Sequence, residues 1–327
     1  MKKKLMKIVQ ITDSIFTQII DPRLQYKKSI LVLTFHGIFL NETERSLNFV
    51  DPKLFISIEN FSKFLEYSID KDYTFISPND ILKGLDNTKN YILLTFDDGY
   101  YNNKHVLSIL RKYKIPACFF ISTKHVKYNK PFWWDVLYRE GIKNNLSIKQ
   151  IVKMKDQMKI KTSEKCEEYL IDLFGYEALE PVSDIDRPFS PSELKEFSED
   201  RLIFLGNHTC NHNILSSYSS KERNSLILYS QRDIYDFTGI TPLAISYPDG
   251  VYSKEIIEET KKIGLKLGFS GEFKKNYLPV DSLDNSYMKF GRFNFYGYRN
   301  SKDCIEFFNI IISNGILVNW IFKRFFH

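Results

Sequence analysis

The sequence predicts an α/β fold in which parallel strands alternate with helices. Apolar runs of the kind found in strands buried on both faces occur at Ser29–His36, Tyr91–Phe96 and Ala117–Ser122. Apolar residues recur at helical spacing between them, over Pro52–Ile69 and Asn102–Tyr113. This β-α-β-α-β order calls for a parallel sheet covered by helices, in either an α/β barrel or a doubly wound sheet.

The alternation stops after Ser122 and resumes at about residue 200. Between about 125 and 200 the pattern indicates helices with no convincing strand, at Phe132–Arg139, Ile148–Met158, Glu164–Phe174 and Ser192–Phe197. Further strands are predicted at Tyr73–Ser77, Leu202–Leu205, Leu243–Tyr247 and Gly264–Ser270, with a helix over Lys221–Phe237. We therefore expect a helical insertion at about 125–200 inside one barrel over residues 29–275. Residues 1–28 form an N-terminal segment and residues 276–327 a C-terminal extension of apolar helices.

Composition excludes several classes of protein. The chain has 327 residues, with 46 Lys and Arg against 40 Asp and Glu, so its net charge is only +6. Its longest basic block is Lys2-Lys3-Lys4, so no nucleic-acid partner is expected. The four cysteines are far apart and form no C-x-x-C pair, which argues against a zinc ribbon or a disulfide framework.

Both termini bear on location. The basic N-terminus is followed by an apolar stretch that Gln10, Thr12 and Asp13 interrupt, so we expect no cleaved signal peptide and a cytoplasmic protein. The C-terminal stretch Ile305–His327 is very apolar but too polar to span a membrane, because Asn and Ser residues break it. Either it covers the barrel as a helix pair, which we favour, or it makes peripheral contact with a membrane.

Two short motifs follow predicted strands, where parallel α/β folds place their sites. The first is Thr95-Phe96-Asp97-Asp98-Gly99, whose adjacent carboxylates cannot both enter a core without counter-charge. The turn at Gly99 can bring both carboxylates toward one cavity, but an isolated motif of this kind is more often a plain turn with an Asp helix cap.

The second motif is His208-Thr209-Cys210-Asn211-His212. On a helical turn its i, i+4 imidazoles share a face and can grip a divalent metal, while Cys210 points away as a buried residue. One carboxylate and two imidazoles make a three-ligand site with open positions, which is the catalytic pattern. The other carboxylate is then free to act as a base.

Together these motifs resemble the polysaccharide deacetylase family, the NodB homology domain of carbohydrate esterase family 4. Sequence segments on either side of these motifs support the resemblance, which covers roughly Ser29 to Ser270. It includes the strand after Ile115-Pro116. The segment Ser246-Tyr247-Pro248-Asp249-Gly250 is similar to the "YPxG" form of the family's third motif. The segment Leu33-Thr34-Phe35-His36 is similar to the N-terminal motif of one subgroup. The implied fold is a distorted, incompletely closed (β/α) barrel.

The resemblance implies a role for each motif residue. Asp97 would be the general base, and Asp98, His208 and His212 would bind a divalent metal, with zinc favoured over cobalt or nickel. The backbone N–H of Asp249 would help to hold the oxyanion.

The chain departs from better-known members at two points. It lacks their late Leu-x-His acid, and Ser246 stands where they have an Arg that orients the base. The subgroup similar to poly-N-acetylglucosamine deacetylases also lacks that late His, and the resemblance assigns the acid to His36. A polar residue that closes a strand is the alternative reading of His36.

Four residues are assigned to substrate contact, namely Tyr247, Trp133, Trp134 and Arg292. A core position is the alternative for Trp133 and Trp134, and a surface salt bridge is the alternative for Arg292.

The resulting hypothesis is a metal-dependent N-deacetylase acting on an N-acetylated amino sugar of a cell-surface polysaccharide or its lipid-linked precursor. Two alternatives stay open. One is a deformylase or deacylase of a lipid-linked aminosugar or another C–N amide. The other is a glycan-binding relative that has lost turnover.

Overall fold

The computed structural model describes residues 27–281, 285–295, 297 and 300–312. Residues 1–26 and 313–327 lie outside this range, and with them most of the predicted N-terminal segment and the end of the apolar C-terminal stretch. Within the described residues, no helix is both long enough and apolar enough to cross a membrane.

Nine strands form one main sheet. The path through it runs β10-β1-β5-β6-β7-β8-β9; β4 also pairs with β5, β11 also pairs with β1, and β2 and β3 pair separately. All of the pairings are parallel except β1 with β10. The strands are β1 Ser29–Phe35, β2 Gly37–Phe39, β3 Phe55–Ser57, β4 Tyr73–Phe75, β5 Asn90–Phe96, β6 Ala117–Ile121, β7 Ile203–Asn207, β8 Ala244–Ser246, β9 Leu267–Phe269, β10 Asn276–Tyr277 and β11 Phe293–Asn294.

The sheet curls into an open half-barrel, which confirms the predicted incompletely closed (β/α) barrel. Every residue of β1 and β6, and all of β5 after Asn90, is buried. Helices cover the outside, as the apolar runs of these strands require. The carboxyl ends of the parallel strands therefore gather at one edge.

Twelve α-helices lie in the described residues. They are α1 Glu42–Ser46, α2 Ile58–Ile69, α3 Pro78–Lys83, α4 Leu107–Tyr113, α5 Thr123–Tyr128, α6 Trp133–Lys143, α7 Ile148–Met158, α8 Ser163–Phe174, α9 Pro191–Ser198, α10 Ser220–Thr238, α11 Lys254–Lys262 and α12 Ser301–Ile312. Capping side chains fix several starts; for example, Ser147 and Gln150 form a capping box at α7.

The stretch predicted as a helical insertion contains helices α6 to α9. No strand interrupts it in this described stretch. Its helices pack in an apolar cluster that includes Phe132, Leu137 and Leu170 and also takes in Phe55 and Tyr100 from outside the insertion. A buried Arg139 binds Asp186 inside it and ties α6 to the chain that returns toward the barrel.

The predicted helix over Pro52–Ile69 forms only from Ile58. A 3₁₀ turn at Pro52–Leu54 and strand β3 take up its first residues. Phe55 enters the core under Gly37, where an added Cβ would lie 1.9 Å from the Phe55 ring. The pairing of β3 with β2 therefore overrides the helical spacing.

The segment after residue 275 also contributes to the sheet. Strand β10 pairs with β1 through Ser29–Tyr277, and β11 pairs with it through Leu33–Phe293. Helix α12 then packs on α2, where Phe308 contacts Phe64 at 5.2 Å between ring centroids. The described part of the predicted extension thus completes the barrel wall rather than standing apart from it.

The packing of α12 yields a stability prediction. Phe308 is fully buried, so Phe308→Ala is expected to lower the free energy of unfolding by about 3–5 kcal/mol. Urea denaturation followed by circular dichroism would measure this loss. The matched control is Tyr176→Ala, which removes a ring that is 71% exposed and should cost less than about 1 kcal/mol. Equal losses in the two variants would show that α12 does not belong to the core.

Candidate active site

Two strand ends and the turns after them bring the sequence-predicted residues together. Strand β5 ends at Phe96 and is followed by Asp97 and Asp98, while β7 ends at Asn207 and is followed by His208. Strand β1 ends one residue before His36. The parallel order of these strands places all of these residues at the same edge of the sheet.

The turn after β5 directs both carboxylates inward. Asp98 (φ 77°) and Gly99 (φ 90°) adopt left-handed backbone conformations. The Asp97 N–H donates to the carbonyl of Phe35 at 2.9 Å, and the carbonyl of Asp98 accepts from Ser122 N–H at 3.1 Å. Asp97 and Asp98 are 3% and 1% exposed, so the turn buries two adjacent acids.

The two histidines are held differently from the helical turn that the spacing suggested. Residues 208–212 form an irregular turn in which Thr209 (φ 63°) and His212 (φ 46°) are left-handed. The imidazoles nevertheless meet, with ring centroids 4.8 Å apart. Cys210 points away, as expected, and its thiol donates to the carbonyl of Leu226.

Asp98, His208 and His212 converge on one point. Their ligand atoms all lie within 4.8 Å of one another. Asp98 Oδ1 is 3.4 Å from His208 Nε2 and 3.7 Å from His212 Nε2. Two ligands bound about 2.1 Å from one tetrahedral ion lie roughly 3.4 Å apart, so these distances fit a shared divalent ion.

The hydrogen bonds of the cluster leave the metal-binding atoms available. The Nδ1 atom of His208 lies 2.8 Å from the Ser246 carbonyl, which can only accept, so Nδ1 carries the proton and Nε2 keeps its lone pair. Asp98 Oδ1 is buried and accepts no hydrogen bond from the described residues. A buried carboxylate oxygen of this kind calls for a cation.

The protonation states of the cluster follow from burial and charge. Burial, reinforced by His208, lowers the pKa of His212 to about 4, which keeps this imidazole neutral near pH 7, the form that binds metals. Burial also lowers the pKa of His208, but Asp97 and Asp98 outweigh it and raise that pKa above its usual value. A divalent ion in the cluster would place further positive charge beside the same two carboxylates.

Asp97 has a separate partner, which the sequence did not reveal. Arg292 forms a bidentate ion pair with it, with Nη1 2.8 Å from Oδ1 and Nη2 2.8 Å from Oδ2. The hydroxyl of Ser246 donates to Asp97 Oδ2 at 3.1 Å. Ser246 thus contacts Asp97 from the third motif. Arg292, just before β11, supplies the guanidinium that the third motif lacks.

The ion pair sets the charge of Asp97. Burial would raise its pKa, but Arg292 and His208 outweigh burial and hold the pKa well below its ordinary value. Arg292 is 5% exposed, so neither the expected substrate contact nor a surface salt bridge describes its position. The geometry makes it the ion-pair partner of Asp97.

The remaining predicted residues divide between cleft and core. A cleft of about 90 Å³ is lined by His36, Trp133, Trp134 and Asp249 together with Asp98 and His212. Tyr247, in contrast, is fully buried in the cluster with Ile227 and Ile256, where no substrate can reach its ring.

Asp249 lies in a tight turn after β8. It is left-handed (φ 55°), and Gly250 beside it (φ 69°) leaves no room for a side chain, because an added Cβ would lie 2.1 Å from Gly271 N. The turn exposes Asp249 at the cleft.

A buried network supports His212 from the insertion side. The Trp134 ring contacts the His212 ring edge-to-face, with centroids 4.7 Å apart. The indole N–H of Trp134 donates to the Tyr100 hydroxyl at 3.0 Å, and that hydroxyl donates to Asp135 at 2.6 Å. Burial raises the pKa of Asp135 to about 8. Only the Trp-Trp-Asp run at the start of α6 marked this network in the sequence.

The Asp97–Arg292 pair generates a prediction. Arg292→Gln leaves a buried carboxylate unpaired and should lower the free energy of unfolding at neutral pH by about 3–5 kcal/mol. Asp97→Asn combined with Arg292→Gln removes both charges and should recover part of that loss, which a double-mutant cycle in urea would measure.

Arg232→Gln is the control. The Arg232 side chain is 79% exposed, so its replacement should change the free energy of unfolding negligibly. The sign of the pH dependence is also fixed. Because the pKa of Asp97 is lowered on folding, the pair stabilises the protein above the ordinary carboxyl pKa of about 4 and is lost as pH falls below it. A loss in Arg292→Gln no larger than in the control would contradict the pairing.

Comparison with known proteins agrees with this geometry. A family model described as polysaccharide deacetylase matches residues 84–268. No curated protein matches the chain by sequence.

Solved structures share the fold. A polysaccharide deacetylase from Bacillus cereus has 18% identity and a TM-score of 0.59, over 87% of this chain and 69% of that one. The Streptococcus pyogenes deacetylase PplD, in complex with acetate, has 16% identity and a TM-score of 0.58 over 87% and 99%. IcaB from Ammonifex degensii has 18% identity and a TM-score of 0.52 over 85% and 96%. With the family model covering more than half of its length, the chain belongs to the polysaccharide deacetylase family, hydrolases that act on the amide bonds of N-acetylated sugars.

Proposed function

We propose that the protein is a metal-dependent N-deacetylase that removes acetyl groups from an N-acetylated amino sugar of a cell-surface polysaccharide or its lipid-linked precursor. The observation that carries the proposal is the convergence of Asp98, His208 and His212 on one point beside the paired carboxylate of Asp97. A glycan-binding protein without turnover has no need to bury these groups at such a cost.

Asp98, His208 and His212 would hold the metal. Two imidazole nitrogens and one carboxylate oxygen suit zinc, and cobalt or nickel accept the same donors. When bound, such an ion polarises the acetyl carbonyl and makes water more acidic. The Ser246 carbonyl fixes the orientation of His208, and the Trp134 ring supports that of His212.

Asp97 would be the base that takes a proton from the attacking water. Its lowered pKa keeps it ionised at neutral pH, and Arg292 fixes the plane of its carboxylate. Its Oδ2 atom lies 3.9 Å from His208 Nε2, so the carboxylate faces the same point as the ligands. The base is therefore within reach of a water at that point.

His36 would protonate the departing amine, and the backbone N–H of Asp249 would help to stabilise the oxyanion. Both residues line the cleft. Burial lowers the pKa of His36, which makes the protonated imidazole a stronger acid toward an amine that becomes basic as the C–N bond breaks.

The substrate would lie between the catalytic edge and the insertion. Trp133 and Trp134 line the cleft but are only 9% and 5% exposed, so they would form part of its apolar wall rather than present open ring faces to a sugar. The structural similarity to PplD, described as a deacetylase in complex with acetate, supports an acetyl substrate. Peripheral membrane contact through residues after 312 stays a prediction.

Metal analysis of purified variants tests the proposed ligands. His208→Ala and Asp98→Asn should lose the bound zinc and its thermal stabilisation, because each removes one of three ligands. Asp97→Asn should keep the metal yet release acetate from N-acetylglucosamine oligomers at least about a hundredfold more slowly. Elemental analysis and an acetate assay give the two readouts. Zinc stoichiometry unchanged in His208→Ala, or full turnover in Asp97→Asn, would overturn these roles.

The role of His36 is tested by changing the leaving group. His36→Ala should slow acetamide hydrolysis by about 10²-fold or more, since an amine needs a proton in order to leave. Hydrolysis of p-nitrophenyl acetate should change little, because nitrophenolate leaves unprotonated. Asp97→Asn, the matched control, should slow both reactions. Equal losses on both substrates in His36→Ala would assign His36 to another role.

A further inference from the structure

The cleft beside the metal-ligand cluster has a basic wall, formed by Lys155, Lys159 and Lys161. All three belong to the end of α7 and the connection to α8. The insertion, rather than the barrel, therefore supplies the positive charge at this cleft.

The three lysines differ in their partners. Lys155 is neutralised within the protein, because its Nζ lies 3.1 Å from Oδ2 of Asp51. Lys159 and Lys161 are exposed, and neither forms an ion pair with another residue in the described part of the chain. The Lys161 ammonium lies 4.8 Å from the centroid of the Tyr169 ring, a contact that leaves its charge in place.

The acidic groups of the cleft do not offset these charges. Asp98 and Asp249 are the carboxylates among the lining residues. Asp98 faces His208 and His212, and a divalent ion there would take up its charge. Asp249 alone then stands against the two ammonium groups of Lys159 and Lys161, so the cleft keeps a positive balance.

We propose that Lys159 and Lys161 bind an anionic group of the substrate, so that the substrate class is an amino-sugar glycan carrying phosphoryl or carboxylate groups. This inference rests on the proposed function for the sugar itself. A lysine ammonium is a flexible point charge that binds either anion. Partly enclosing walls strengthen the attraction and draw anionic substrates in from solution.

Binding in an Asp97→Asn background, which prevents turnover, tests the proposal by calorimetry. The probes are N-acetylglucosamine 1-phosphate, a hyaluronan tetrasaccharide that carries carboxylates, and the neutral N-acetylglucosamine tetrasaccharide. Lys159→Gln with Lys161→Gln should weaken binding of at least one anionic probe about tenfold at low salt and leave the neutral probe unchanged. High salt should reduce this difference. The matched control is Lys149→Gln with Lys153→Gln, which removes the same charge from exposed α7 positions outside the cleft.

The pattern over the probes decides the outcome. If the lysine variant loses affinity for N-acetylglucosamine 1-phosphate, the lysines bind a phosphoryl group. If it loses affinity for hyaluronan, they bind a carboxylate. Losses of affinity no larger than in the control overturn the proposal. Sedimentation with phosphatidylglycerol vesicles is measured for the same variants, and a lysine effect seen only in that experiment also overturns the proposal. Acetate assays on the wild type keep the two proposals apart. No acetate from any probe refutes the proposed function alone, while acetate release with no lysine effect on binding refutes the anionic substrate alone.

Discussion

The structure depends on the compensation of two adjacent buried carboxylates. Asp97 and Asp98 are almost wholly excluded from solvent. An isolated ionised acid in such a place would become protonated or force the site open. Arg292 compensates one charge with two hydrogen bonds, and the two imidazoles face the other. Because the two charges are compensated separately, Asp97 can serve as the proposed base while Asp98 serves as a proposed metal ligand.

That compensation explains why the chain must continue past β9 to Arg292 and the parallel strand β11. Arg292 comes from the segment that returns to pair with β1 at Leu33–Phe293. The carbonyl of Ser270 also accepts from Arg292 Nε, at 3.2 Å. The backbone after residue 275 thus carries the guanidinium of Arg292 to Asp97, and the apolar face of α12 then packs on α2.

Most of the fold could be predicted from the sequence because buried parallel strands carry a continuous apolar signal. Strand β1 and helix α7 are nearly as expected, since their patterns and caps are local. Where tertiary pairing decides the outcome, local pattern fails. Phe55 joins a strand because β2 lies beside it, and the histidines lie in an irregular turn that spacing cannot specify.

The residues of the candidate site also differ in how well local sequence predicts them. Asp97, Asp98, His208 and His212 stand in short motifs, so their proximity could be predicted from strand order. Arg292 lies 195 residues from its partner, and nothing local distinguishes it from a surface arginine. Tyr247 illustrates the reverse case, because its place beside a motif suggested contact with substrate while its side chain fills the core.

The backbone of the catalytic edge has a consequence for how this protein can be improved. Asp98, Thr209, His212 and Asp249 all have positive φ, a conformation that costs a residue with a side chain about 1 kcal/mol or more. Glycine would relieve that cost at each position, yet at Asp98 and His212 it would remove a proposed metal ligand. A search for thermostable variants would therefore select substitutions at this edge of the sheet, and those substitutions would gain stability at the expense of activity. Thr209 offers no ligand atom to the cluster, but its buried hydroxyl accepts from Asn213 N–H at 2.7 Å, so glycine there would leave that donor without its partner.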